Sequence, residues 1–186
     1  MGSHQGAGWR RPIPALRTCS TIPWEPPGGW TWTSCSACVT FAKMRQRLDT
    51  VADIFMVQNI LLGLETGQET AQELAALLHK LNHPNIGVNF DPANMLMYDK
   101  GDPVKALHSL APWIRQVHIK DAKRAKTPGT WGEETIVGKG EVDWRGFFTT
   151  FKHVVFNVNL VIEREFGGTR AADIRAAHDF IRKTFT

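Results

Sequence analysis

The chain has 186 residues, a formal net charge of +4 and a mean hydropathy of −0.24. That length suffices for one domain with a sizeable core, yet it falls short of the roughly 250 residues of a complete eight-fold βα barrel. Lys and Arg are spread without a long basic run, so charge does not point to nucleic acid; no apolar stretch reaches the length of a membrane span, and no apolar region behind the first charges marks a secretory leader.

Composition changes near residue 42. Residues 1–42 hold all three cysteines, four of the seven tryptophans and half of the ten prolines. The stretch from Trp24 to Trp32 has neither helical nor strand periodicity, and Pro and Gly interrupt it too often for a long element. It reads as a domain start replaced by unrelated or out-of-frame sequence, with a native but irregular arm as the alternative. Either way, residues 1–40 are expected to lack long regular elements. The odd cysteine count argues against a disulfide framework and makes a reducing cytoplasm the expected compartment. Cys35 and Cys38 form a lone CxxC pair, without the second pair that zinc needs or the βαβ context of a redox motif.

Residues 43–186 are regular. Met44, Leu48, Val51, Ala52 and Phe55 recur at helical spacing, and Ile60–Glu65 is a short apolar run suited to a buried parallel strand. Leu74, Leu77, Leu78 and Leu81 stripe the next helix, and Ile86–Asp91 is the second strand. Asp102 followed by Pro103 starts a helix ending near Pro112. Ile114–Lys120 is the third strand, and a long loop is expected from Asp121 to about Val142. Asp143 caps a helix through Phe147 and Phe151, Leu160–Glu163 is the core of the fourth strand, and Thr169 caps a last helix. Strands alternating with helices predict an α/β fold of about four parallel βα units, in sequential order, with helices on one face.

Each strand ends in a candidate metal ligand: Glu65, Asp91, His118 and Glu163. Ligands and substrates bind at the C-terminal ends of parallel βα strands. Singly, each residue has an ordinary reading: a helix N-terminal charge, a turn residue before Pro92, a core histidine. Together they form an oxygen-rich set with one imidazole, suited to one divalent metal (Mn²⁺, Mg²⁺, Co²⁺ or Zn²⁺).

Leu62-Gly63-Leu64-Glu65-Thr66-Gly67, Asn89-Phe90-Asp91-Pro92-Ala93-Asn94, Val117-His118-Ile119-Lys120-Asp121, Gly138-Lys139-Gly140-Glu141-Val142-Asp143-Trp144 and Ile162-Glu163-Arg164-Glu165 occur in that order. They resemble the xylose-isomerase-like barrel superfamily, in its sugar phosphate isomerase/epimerase branch. The resemblance covers about residues 43–186 and corresponds to the last four of eight βα units, a partial (β/α) TIM-type barrel. It implies that Glu65, Asp91, His118 and Glu163 hold one divalent metal and that Glu65 and Glu163 act as acid and base. It further implies an isomerase or epimerase working through an enediolate on a small-molecule carbohydrate: a sugar, sugar phosphate or keto-polyol. A dehydratase is a near variant. The alternatives are an apurinic-site endonuclease-like metal hydrolase and a non-catalytic barrel remnant. Asn94 stands where some relatives have a histidine, and the loop after Asp121 lacks an Asp-x-His, both against the endonuclease.

Supporting residues follow from strand alternation. Lys120 shares the face of His118 and either holds a substrate oxygen or phosphate or pairs with Asp121. Glu165 shares the face of Glu163 and orients it, whereas Arg164 faces the helices or solvent. Trp131 either walls a sugar ring or packs on the surface. The Gly138–Gly140 pair reads as a turn, and His79, His83, His108, His153 and His178 as solvated. Because four preceding strands are not recognisable, metal binding by this chain is expected to be weak: across a flat sheet the first and fourth strands lie roughly 14 Å apart. A homodimer is the route to closure.

Overall fold

The computed structural model describes residues 35–155 and 157–185, with side chains described from residue 41. Helix α1 spans Cys35–Val57. It begins ahead of Ala42, so the expectation of no regular element up to residue 40 fails over 35–40; no Pro or Gly falls between Gly29 and Gly63 to interrupt it. Residues 1–34, on which the rest of that expectation falls, lie outside the described residues. Leu48, Val51, Ala52 and Phe55 turn one face of α1 to the core. Asn59, at φ 55°, ends it, and the Ile60 N–H returns to the Phe55 carbonyl at 2.9 Å.

Six strands and five further α-helices follow among the described residues: β1 (Leu62–Glu65), α2 (Ala71–Leu81), β2 (Ile86–Phe90), α3 (Pro92–Met97), α4 (Pro103–Leu110), β3 (Ile114–Ile119), β4 (Asp121–Lys123), β5 (Glu133–Thr135), α5 (Trp144–Val154), β6 (Asn159–Ile162) and α6 (Arg170–Thr184). The main sheet is parallel, in the order β1-β2-β3-β6, as expected. Its outward residues, among them Leu62, Val88, Phe90, Val117 and Ile119, join Leu74, Leu78, Leu107, Phe147 and Ala177 of the covering helices in one core cluster. The helix starts obey local chemistry. Thr70 and Glu73 form a reciprocal capping box on α2, and Asp102 accepts from the Val104 and Lys105 amides at α4. Asp143 accepts from the Gly146 amide at α5.

The β2–β3 pairing slips once. Val88 is opposite Ile114, but Asn89 is opposite Gln116, leaving Arg115 as an extra residue on β3. This bulge lets Ile114 face the helices while Gln116 and His118 face inward. Gly87 makes room for it, since a Cβ there would collide with the Arg115 side chain and the Trp113 carbonyl.

Further expectations are corrected. Residues 121–142 are not one loop: β4 and β5 pair antiparallel, Asp121 with Thr135 and Lys123 with Glu133. Asp91 and Pro92 start α3 just as Asp102 and Pro103 start α4. Thr169 occupies the α6 cap position without bonding an amide; its hydroxyl donates to Asp173 Oδ1 at 3.1 Å. His83 is not solvated either. Its side chain is 12% exposed, because the left-handed Asn82 turns the chain back so that His83 meets Asp53 at 3.1 Å. No described helix is long and apolar enough to cross a membrane.

Candidate metal centre

Glu65 closes β1, Asp91 follows β2, His118 lies near the end of β3 and Glu163 follows β6. One ligand atom from each lies within 4.8 Å of all the others. His118 Nδ1 is 3.2 Å from Glu163 Oε2, 3.3 Å from Glu65 Oε1 and 3.7 Å from Asp91 Oδ2. The four strands therefore curve enough to converge their ends, and the expectation that the outer carboxylates stay roughly 14 Å apart, as on a flat sheet, is overturned. Twist and curvature of even a short parallel sheet aim inward side chains at a common axis.

Backbone chemistry holds each ligand. Asp91 Oδ1 accepts the Ala93 and Asn94 amides at 2.8 and 3.0 Å, so the α3 cap fixes the carboxylate and leaves Oδ2 facing the cluster. Thr66 ties the ends of β1 and β2: its hydroxyl donates to the Asp91 carbonyl at 2.9 Å and accepts the Asp91 amide at 2.8 Å. Asn94 donates to Glu65 Oε1 at 3.2 Å and so orients a candidate ligand. Glu163 is held less directly. Buried Glu134 of β5 accepts the Glu165 and Phe166 amides, both at 3.1 Å, and its carboxylate meets Arg164 Nη1 at 3.2 Å. Arg164 in turn meets Asp173 of α6 at 3.0 Å, facing the helices as expected.

Lys120 is buried and does not pair with Asp121. Its Nζ lies 3.0 Å from Glu165, 3.1 Å from Glu163 and 3.6 Å from Asp91. Asp121 points elsewhere, accepting from the Gly138, Gly140 and Val142 amides and the Trp144 indole, and so anchors the Gly138–Gly140 turn. Trp131 is 61% exposed and meets Tyr98 edge-on at 5.1 Å between ring centres. Burial raises the Tyr98 pKa, and the charges of Lys120, Glu165, Asp91 and Glu65 act on it as well. Sequence reading missed Thr66, Tyr98 and Glu134. Only Thr66 carried a signal, lying inside a quoted motif.

Four carboxylates face two basic groups here. Burial alone would lower the His118 pKa, but Asp91, Glu163 and Glu65 outweigh it and push the ring up to about 11. Burial would raise Glu163; His118 and Lys120 instead bring it down to about 2. Lys120 is raised, the carboxylates again outweighing burial. The cluster thus stabilises positive charge at its centre. Asp91 Oδ2 and His118 Nδ1 are both buried and have no hydrogen-bond partner. Buried polar atoms held by ion pairs alone are uncommon in folded proteins, and these two face the centre of the cluster, where a cation would sit. Three carboxylates and an imidazole suit a hard or borderline divalent metal, so the residues fit one.

A parallel βα sheet with a polar centre at its C-terminal end defines the barrel enzymes' usual arrangement. The xylose isomerase-like TIM barrel family model matches residues 15–184, and the chain belongs to that family. Among curated relatives, YihM of Escherichia coli (strain K12) is 35% identical over 80 residues, which is 42% of this chain and 24% of that protein. The 3-dehydroshikimate dehydratase of Bacillus anthracis is 30% identical over 84 residues, 42% of this chain and 29% of that one. Among solved structures, a xylose isomerase domain protein from Planctomyces limnophilus superposes with a TM-score of 0.74 at 29% identity, covering 88% of this chain and 56% of its own. A Mycobacterium smegmatis barrel protein in complex with magnesium gives 0.65 at 17% identity, covering 80% and 52%. D-Psicose 3-epimerase from Clostridium cellulolyticum H10, with D-tagatose, gives 0.60 at 18%, covering 78% and 56%. The chain spans about half the length of these structures.

Proposed function

We propose that this chain is a divalent-metal-dependent isomerase or epimerase acting on a sugar, sugar phosphate or keto-polyol. The observation that carries the reading is the convergence of Glu65, Asp91, His118 and Glu163 within 4.8 Å at four successive strand ends. These residues would hold the metal, which would supply the positive charge that stabilises an enediolate. Glu163, ionised at neutral pH, takes the proton from the carbon beside the carbonyl; the C–H electron pair moves toward the carbonyl oxygen and gives an enediolate. Glu65, on the far strand β1 and entering the step as the carboxylic acid, gives its proton to the other face and inverts the carbon, so that the two glutamates exchange protonation states. Return to the adjacent carbon gives an aldose–ketose isomerisation instead. Lys120 and Glu165 hold Glu163 in place, and Trp131 with Tyr98 walls the sugar.

The 30% identity to a 3-dehydroshikimate dehydratase favours a second reading of the same centre. There the enediolate expels a neighbouring hydroxyl rather than regaining a proton. Incubation with Mn²⁺ and a ketose panel in D₂O, followed by proton NMR, separates the two. The proposal predicts metal-dependent deuterium at the carbon beside the carbonyl with the sugar intact. Loss of water from a 3-keto-polyol without exchange selects the dehydratase, and no exchange or loss with any substrate counts against both. Glu163→Gln keeps the side-chain shape and removes the base, so exchange should fall by about 10²–10⁴-fold while the chain still folds, with a melting temperature lowered by loss of the charge beside His118 and Lys120. Unchanged exchange rejects the role.

A further inference from the structure

A second polar layer lies one residue pair below the ligands on the inner face of β2 and β3. Asn89, 2% exposed, is the register partner of Gln116, and His118 follows two residues on along the same face. One end of the Asn89 amide lies 3.0 Å from His118 Nε2 and the other 3.3 Å from Gln116 Nε2. Gly63 leaves the space for it, since a Cβ there would sit 3.3 Å from the Asn89 Cβ. The bulge at Arg115 produces this alignment, for without it Asn89 would stand opposite Arg115.

An imidazole that offers Nδ1 to a cation carries its hydrogen on Nε2, and that N–H needs an acceptor when buried. Among the described residues, the groups bonded to Nε2 are the amides of Asn89, at 3.0 Å, and Gln116, at 3.4 Å. A half-turn of an amide exchanges donor for acceptor in the same place. With both amides so turned, Nε2–H donates to Asn89 Oδ1 and Asn89 Nδ2 donates to Gln116 Oε1, so the imidazole hydrogen has its acceptor. We infer that Asn89, held by Gln116, is a positioning residue that fixes the ring and tautomer of His118 so that Nδ1 faces the cation. This rests on the metal reading above.

The test is calorimetric titration of the full chain and its variants with Zn²⁺, with ¹⁵N NMR of the His118 ring in the zinc-loaded protein. Asn89→Leu removes the acceptor and should weaken binding about 10–100-fold. Asn89→Asp keeps an acceptor and should bind at least as tightly as the parent. The parent and Asn89→Asp should show a protected Nε2–H that Asn89→Leu lacks. A packing role would give the opposite ranking, with the apolar variant tolerated and the buried charge harmful. Asn89→Leu binding like the parent, or Asn89→Asp losing as much as Asn89→Leu, overturns the inference alone. Should Asn89→Leu fail to fold, a zinc-loaded parent without a protected Nε2–H overturns it. A parent chain that binds no Zn²⁺ overturns the metal reading with it.

Discussion

At the scale of single residues, the centre is a contest for positive charge. Three carboxylates hold a proton on His118 up to about 11, so a metal entering at neutral pH must displace that proton. Affinity should therefore rise with pH, about tenfold per unit below the His118 pKa, with one proton released per ion. Titrations in buffers of different ionisation enthalpy measure the release, and a pH-independent affinity would contradict it. The sign for folding is separate. Because the folded pKa of His118 is raised, its contribution to stability is complete below about 6.5 and lost as pH rises toward 11. Glu163 is depressed to about 2, so its contribution is present above about 4.5 and lost as pH falls toward 2. The metal-free protein should be less stable at both ends, and His118→Asn should flatten the alkaline limb of a melting-temperature profile. The four ligands were legible because each ends an apolar run, where strand polarity gives direction. Asn89 and Gln116 were not, because their role depends on a pairing register that alternation along one strand does not specify.

At the scale of elements, the bulge on β3 decides which side chains point inward. Gly87→Val places a side chain where Arg115 and the Trp113 carbonyl now lie. It should destabilise the fold by about 1–3 kcal/mol and, by disturbing the β2–β3 register, weaken metal binding too. Chemical denaturation with a parallel metal titration checks both; a variant with parental stability would show that the bulge needs no glycine. Parallel strands were readable as short apolar runs between helices striped at 3.6-residue spacing. The β4–β5 hairpin was not, because Asp121-Ala122-Lys123 and Glu133-Glu134-Thr135 carry almost no apolar alternation. Pairing there follows from Asp121 gathering the Gly138–Val142 amides and Glu134 holding the Glu165–Phe166 backbone, contacts between residues distant in sequence. Proline after aspartate marks a helix start at Asp102, as expected, and also at Asp91, where the cap carboxylate doubles as a candidate ligand.

At the scale of the molecule, β1 and β6 each have a strand partner on one side only among the described residues, and inward-facing Val161 is 38% exposed. Such edges favour pairing with another chain, so we expect a homodimer or larger assembly; light scattering that reports a monomer at every concentration would contradict this. The strand order and the α/β class followed from alternation of elements, whereas the curvature did not, since it arises from the twist of paired strands rather than from any one segment. That curvature makes one site of four residues spread over nearly 100 positions of chain, from Glu65 to Glu163. Calorimetric titration with Mn²⁺ tests this most directly. Convergence predicts one ion bound per chain, and no detectable binding after Asp91→Asn combined with Glu163→Gln. Absence of binding by the parent chain, or binding that survives in the double variant, would contradict it.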